Sequence, residues 1–253
     1  MTEITKNILN ASLFLLILML CLPQLSLATD ATNGMFSWPI GCVPGVSCVG
    51  QHFRIGYPDV GNNGKSYACG KPGYFGHQGT DIIVSSVELG VSVMAAANGF
   101  VRWVQDGLYD HCPNTTQHDC EPQTRSILPL GNRTDASLGF NAGNFIVIEH
   151  TIKDVKYLTL YAHLRTGSQK VVPGQRVGNG DKIAEVGSSG NSRLPHLHFG
   201  ILKEEGMFYR LVDPWRGPCN ASSDGLWISD PPYQSDDQAE ETDSSQTWPT
   251  EQQ

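Results

Sequence analysis

Five side chains in this 253-residue sequence have types and spacings suited to binding a metal ion and acting beside it: His77, Asp81, His163, His196 and His198. Imidazole and carboxylate are ordinary ligands of zinc and other first-row metals. His196 and His198 are two residues apart, and on a strand such residues project from the same side, roughly 6.5–7 Å apart along the axis. One of them can hold a metal while the other addresses a ligand bound to it. His77 and Asp81 stand four apart, a spacing that one helix face could share. The interior Gly79 and the run Ile82-Ile83-Val84 point instead to a turn entering a strand, and either arrangement lets the two side chains converge. Isolated histidines are more often structural or surface residues, and His52, His111, His118 and His150 are read that way.

Taken as ligands, His77, Asp81 and His198 leave one tetrahedral position open. That is the pattern of catalytic rather than structural zinc. Zinc in such a setting lowers the pKa of water to about 7 and polarises a carbonyl. His163 and His196 would then be the catalytic pair, taking a proton from the water and stabilising charge on the attacked oxygen. The chemistry expected is metal-assisted hydrolysis of an amide.

The elements that must position these groups read as strands. In Tyr157–Leu164, Leu158, Leu160, Ala162 and Leu164 alternate with Tyr157, Thr159, Tyr161 and His163. Period two marks a half-buried strand, with His163 placed on the polar face. In His196–Ile201, Leu197, Phe199 and Ile201 form a core face and both histidines project from the other. Asn144–Glu149 and Asp81–Val84 read as further strands. Gly and Pro are abundant and helical periodicity is scarce, so the fold expected is all-β or β-dominated.

The ends of the chain differ from this middle. Leu13–Leu20 is apolar but short of the roughly 20 residues of a membrane span, and Ser26-Leu27-Ala28 follows as a cleavage-like triplet. Residues 1–28 are therefore expected to be a secretion signal, which implies export to a periplasm or the extracellular space and no stable membrane insertion after cleavage. Residues 230–253 hold seven acidic side chains and no basic ones, which predicts a disordered tail. Setting aside that tail, Glu3 and Lys6, 16 basic and 17 acidic residues remain, so the net charge of −8 belongs mostly to the tail. No basic patch suggests a nucleic-acid partner.

Outside the signal lie Cys42, Cys48, Cys69, Cys112, Cys120 and Cys219, an even number that favours disulfides in an exported chain. Loop economy suggests Cys42–Cys48 and Cys112–Cys120, leaving Cys69 for Cys219. The alternative is a structural zinc site of His111, Cys112, His118 and Cys120. Asn114, Asn132 and Asn220 each begin a glycan-acceptor triplet.

The motifs His77-x-x-x-Asp81, Tyr161-Ala162-His163-Leu164 and His196-Leu197-His198 together resemble the lysostaphin/LytM-type zinc endopeptidases of peptidase family M23. So do Gly90–Gly99, Gly143–His150, Pro173–Val177 and Val186–Ser192, in the same order, so that the resemblance spans roughly residues 77–201. It implies a mostly antiparallel sheet of the LytM/lysostaphin type, a duplicated hybrid motif-like fold with long loops. It also implies one Zn²⁺ held by His77, Asp81 and His198, with His163 and His196 as the catalytic pair. The implied substrate is the peptide part of bacterial peptidoglycan, and the expected state a monomer. On this basis 29–76 is an N-terminal extension and 77–229 the peptidase-like domain, with 107–142 inserted where the family has a short connection. A second reading is an inactive relative that activates another wall hydrolase or acts as a secreted binding protein. Such a protein typically lacks one or more of the five residues, and all five are present here.

Overall fold

A computed structural model describes residues 35–41, 54–70, 75–114, 142–220 and 225–228. The expected signal at 1–28, the tail at 230–253 and most of the segment 107–142 lie outside the described residues, as do Cys42, Cys48, Cys120, His52 and His118. The chain divides into two compact units, Met1–Thr32 and Asn33–Gln253, and every described residue belongs to the second.

Ten strands and one short 3₁₀ turn (Val87–Leu89) make up the regular structure, with no α-helix among the described residues. In chain order the strands are β1 (Arg54–Gly56), β2 (Thr80–Ile83), β3 (Ser92–Met94), β4 (Gly99–Gln105) and β5 (Phe145–Ile152). They continue with β6 (Val155–Ala162), β7 (Arg176–Val177), β8 (Lys182–Glu185), β9 (His196–Glu205) and β10 (Phe208–Val212). The main sheet runs β1-β2-β9-β6-β5-β4-β7 with β10 also on β9, while β3 and β8 form a separate pair. Every pairing between these strands is antiparallel. The β-dominated, mostly antiparallel expectation is met.

The strand carrying the expected alternation is not half-buried. In β6, Tyr157 through Ala162 are all buried, because the sheet is covered on both faces. Tyr157 and Tyr161 join the larger core with Leu197, Phe199 and Ile201, while Leu158, Leu160 and Ala162 join a smaller one with Leu202 and Tyr209. Period two is present, but both phases of it face apolar surroundings, as a central strand requires. An aromatic group closes one end of the larger core. Trp215 is fully buried between Tyr57, Tyr67 and Trp227, and its Nε1 donates to Thr80 Oγ1 at 3.0 Å, tying the group to the first residue of β2.

Cys69 and Cys219 are disulfide-bonded with Cα atoms 5.2 Å apart, the pairing that loop economy leaves for them. Cys112 is also disulfide-bonded, which removes its thiolate from the alternative zinc site. The amide nitrogen of Asn220 donates to Trp215 O at 2.7 Å, so the side chain of this glycan-acceptor triplet is committed to the protein.

His150 is structural, as expected. It is fully buried in β5, where Nδ1–H donates to Asn98 O at 2.9 Å and Nε2 accepts from the Thr159 hydroxyl at 2.7 Å. Burial pushes its pKa down to about 4, against small opposing effects of the Asn98 carbonyl and Glu149. An unfolded histidine titrates near 6.5. The ring is therefore neutral in both states above that pH, and between about 6.5 and 4 only the unfolded chain takes up the proton. Stability is present above pH 6.5 and lost as the pH falls toward 4, with a limit of about 3 kcal/mol. Asp213, pushed up to about 7 by burial, acts in the opposite sense over this window. The informative quantity is thus a difference. Urea unfolding from pH 7.5 to 4.5 is expected to show a steeper loss of stability toward acid for wild type than for His150→Gln, and parallel curves would refute the assignment.

Candidate metal centre

The β2–β9 register places Asp81 opposite His198 and Ile83 opposite His196. Residues directly opposite in an antiparallel pair share a face, and so do residues two apart on one strand. Asp81, His196 and His198 therefore emerge together. His77 reaches the same point from the turn that enters β2, as the interior glycine and β-branched run suggested. One ligand atom from each of His77, Asp81 and His198 lies within 4.8 Å of the others, and all three residues are buried. Asp81 Oδ1 sits 2.8 Å from His198 Nδ1, 3.1 Å from His77 Nε2 and 3.6 Å from His196 Nε2.

Three of the histidines are aimed by backbone carbonyls. His77 Nδ1–H donates to Tyr57 O at 2.8 Å, which keeps the lone pair on Nε2 and points it at Asp81. His196 holds Leu194 O at 2.9 Å through Nδ1, with Ser192 Oγ at 3.1 Å. His163 Nδ1–H donates to Ser189 O at 2.8 Å. Its ring lies 4.6 Å from that of His196 and 6.0 Å from that of His198, centroid to centroid. A hydrogen bond at one imidazole nitrogen fixes the tautomer at the other. Both His163 and His196 are thus held with Nε2 free of the proton that Nδ1 carries.

The sequence expectation for His163 needs correcting. Ala162 pairs with His198 across β6 and β9, so Ala162 lies on the metal-centre face. By strand alternation His163 would project from the opposite face, beside Tyr161. Strand β6 ends at Ala162, and His163 adopts φ = 58°, in the left-handed region. That reversal brings the ring round to its neighbours. A non-glycine residue in this region is uncommon and costs of order 1–3 kcal/mol. The surrounding bonds hold it there: His163 N–H donates to Ala142 O at 2.8 Å, and Leu164 N–H to Asn144 O at 2.9 Å.

The electrostatics suit a cation. Burial raises the Asp81 carboxyl, but the His77 and His196 rings and the bonds from His198 and His77 override it, holding the group well below the usual carboxylate range. Burial lowers His198 despite the adjacent Asp81. Burial, with His196 and His198 nearby, holds His163 well below the ordinary histidine value. An ionised carboxylate and neutral imidazoles are the forms that bind metals. The donor set therefore fits a first-row metal, with His77 and Asp81 entering from one side of β9 and His198 from β9 itself.

Residues that the sequence reading passed over support the centre through main-chain atoms. The carbonyls of Tyr57 and Ser189 aim two histidines, and carbonyl acceptors leave no mark in side-chain type. Gly79 carries a clearer signal. A Cβ there would stand 2.5 Å from His198 Nε2 and 2.8 Å from Phe199 O, so the edge of the His198 ring occupies the space that a side chain would need. A cavity of about 840 Å³, lined in part by Tyr157, Lys203 and Asp213, opens toward the other end of β6 and β9 and shares no residue with the centre. Gly79→Ala must displace the ring or the β9 backbone. It is expected to weaken zinc binding by at least tenfold in competition with a chromogenic chelator, while far-UV circular dichroism stays that of wild type. Unchanged zinc affinity would show that the contact does not set the ring.

Residues 131–210 match the sequence model of peptidase family M23. That stretch includes β5 to β9 and His163, His196 and His198, while His77 and Asp81 precede it. Among curated proteins, an uncharacterized metalloprotease of Buchnera aphidicola is 36% identical over 77 residues, 30% of this chain and 19% of the relative. The peptidoglycan DD-endopeptidase ShyB of Vibrio cholerae is 46% identical over 61 residues, 24% of this chain and 13% of that protein. The chain thus spans less than a fifth of the length of either relative. Among solved structures, a zinc-containing peptidase of Vibrio cholerae is 25% identical, with 70% of this chain and 36% of that one covered and a TM-score of 0.36. The catalytic domain of lysostaphin from Staphylococcus simulans is 20% identical, with 64% and 89% covered and a TM-score of 0.36. The resemblance carried by the histidine motifs is matched by the family model over residues 131–210.

Proposed function

We propose that this chain is an exported zinc-dependent endopeptidase that hydrolyses amide bonds in peptidoglycan peptides. The observation that carries the reading is the convergence of five residues: a buried His77–Asp81–His198 trio, with His163 and His196 beside it and held in one tautomer by Ser189 O and Leu194 O. Zinc held by the trio supplies Lewis acidity, which polarises an amide carbonyl and makes water nucleophilic near neutral pH.

The protein's own groups account for the proton transfers. With Nδ1–H committed to a carbonyl, a neutral imidazole offers only a lone pair at Nε2. His163, kept neutral by burial and by the neighbouring rings, is suited to take the proton of the attacking water. It then delivers that proton to the leaving nitrogen. His196, whose Nε2 is 3.6 Å from Asp81 Oδ1, is a second proton acceptor beside the trio, and it can donate to the carbonyl oxygen as negative charge grows there once that nitrogen has taken up a proton. A positioned acid or base of this kind is worth about 10²–10⁴ in rate.

The substrate class follows the named activity of the Vibrio cholerae relative and the family match. Export rests on the apolar run Leu13–Leu20 with Ser26-Leu27-Ala28, and on the Cys69–Cys219 disulfide, a bond of oxidising compartments. No helix of the described residues is long and apolar enough to cross a membrane. The protein acts as a monomer, with 77–229 as the peptidase domain. The inactive-relative reading expects a missing ligand or histidine, and no residue is missing.

Purified peptidoglycan of several peptide chemistries, digested and followed by mass analysis, tests this. Zinc-loaded protein is expected to release cut peptides, a chelator to stop release and added zinc to restore it. His163→Ala is expected to slow release by about 10²–10⁴. Protein that binds one equivalent of zinc yet cuts no wall or peptide substrate would refute the enzyme reading.

A further inference from the structure

We propose that Asp110 is a positioning residue that fixes both His163 and His196, so that the first residues of the segment 107–142 take part in the chemistry. This rests on the endopeptidase reading above for its activity arm, and on geometry alone for the rest.

The two histidines depend on one short loop between β8 and β9. Gly187 O accepts the His196 N–H at 3.1 Å, and Ser189 O accepts the His163 Nδ1–H at 2.8 Å. Ser188 lies between these two carbonyls, and its N–H donates to Asp110 Oδ1 at 2.7 Å. The other carboxylate oxygen, Oδ2, accepts the Thr166 N–H at 3.1 Å, three residues beyond His163. One side chain therefore ties the loop that aims both rings to the chain that follows the left-handed turn at His163. Hydrogen bonds from N–H groups to an ionised acceptor are the stronger kind.

The fit is close enough to require glycine. A Cβ on Gly187 would stand 2.4 Å from Asp110 Oδ1 and 2.3 Å from Arg165 N. Neighbouring residues continue the seam. Asp110 bridges Ser189, Cys112 N–H donates to Ser188 Oγ at 3.0 Å, and Asn144 Nδ2 donates to Leu108 O at 2.6 Å. Cys112 is fully buried and disulfide-bonded, which anchors the end of this seam. Asp110 lies before the stretch that matches the family, within the segment 107–142. Without the carboxylate, Ser188 is released, Ser189 O loses its register against the His163 ring and Gly187 O its register against the His196 main chain, and the Nε2 atoms lose their common aim. The carboxylate of Asp110 is engaged by the Ser188 and Thr166 N–H groups, so the metal trio is expected to keep its ligand geometry without it.

Imidazole nitrogen resonances of ¹⁵N-histidine-labelled protein test this with and without one equivalent of zinc. Wild type is expected to show His163 and His196 each as a single tautomer with the proton on Nδ1. In Asp110→Ala, His163 is expected to show a mixture of tautomers, while zinc affinity stays within about threefold of wild type. On labelled peptidoglycan the same variant is expected to lose about ten- to a hundredfold in kcat at unchanged KM, the scale of a misplaced group. Asp110→Asn keeps an acceptor for one N–H, is less disruptive to folding, and is expected to fall between. Single tautomers in both variants would overturn the proposal, as would a kcat loss matched by an equal loss of zinc affinity. If wild-type protein cuts no wall substrate the endopeptidase reading fails, and the tautomer spectra still decide the role of Asp110.

Discussion

Everything at the candidate metal centre depends on the register in which β2 meets β9. Only four residues of β2 are paired, yet they set Asp81 against His198 and Ile83 against His196. Because side chains alternate with period two, a slip of one residue would send Asp81 to the opposite face and leave three imidazoles without their carboxylate. The burial of Ile82 and Leu197 in the larger core holds the register. Trp215 reinforces it through Thr80, the residue that starts the strand. The aromatic group around Trp215 thus has a positional role as well as an apolar one: it fixes where the carboxylate stands.

The five candidate residues were legible in the sequence because metal chemistry restricts side-chain type. The His-x-His pair is the clearest, since a period-two strand puts both rings on one side and the structure does so. The β-dominated fold was legible from alternation and turn residues for the same reason. What alternation misjudged was burial and direction. It marks Tyr157, Thr159 and Tyr161 as a polar face, whereas they lie inside a sheet covered on both sides. It also gives no sign that β6 stops one residue before His163. A single positive φ value decides which face that ring serves, and histidine at a strand end does not announce it. Asp110 was invisible for another reason: its partners are backbone N–H groups far along the chain, and an aspartate in a turn-rich segment reads as surface.

The centre is therefore aimed by main chain more than by side chains. Tyr57 O, Ser189 O and Leu194 O fix three of the four rings, and bare backbone at Gly79 makes room for the fourth. Carbonyls of this kind are indifferent to substitution at their own residues as long as the chain path survives. Side-chain identity matters instead where the path itself is forced, at Gly79, at Gly187 and in the carboxylate of Asp110.

The Cys69–Cys219 bond has a topological consequence. All five residues of the centre fall between those two cysteines, so the bond closes a covalent ring that contains the whole site. A single cut by another protease within that ring, including one in the long stretch between Asn114 and Ala142, leaves no free fragment. The piece bearing His77 and Asp81 and the piece bearing His163, His196 and His198 remain one molecule, joined through the disulfide and through the β2–β9 pairing. This protein can be nicked once within the ring without being divided.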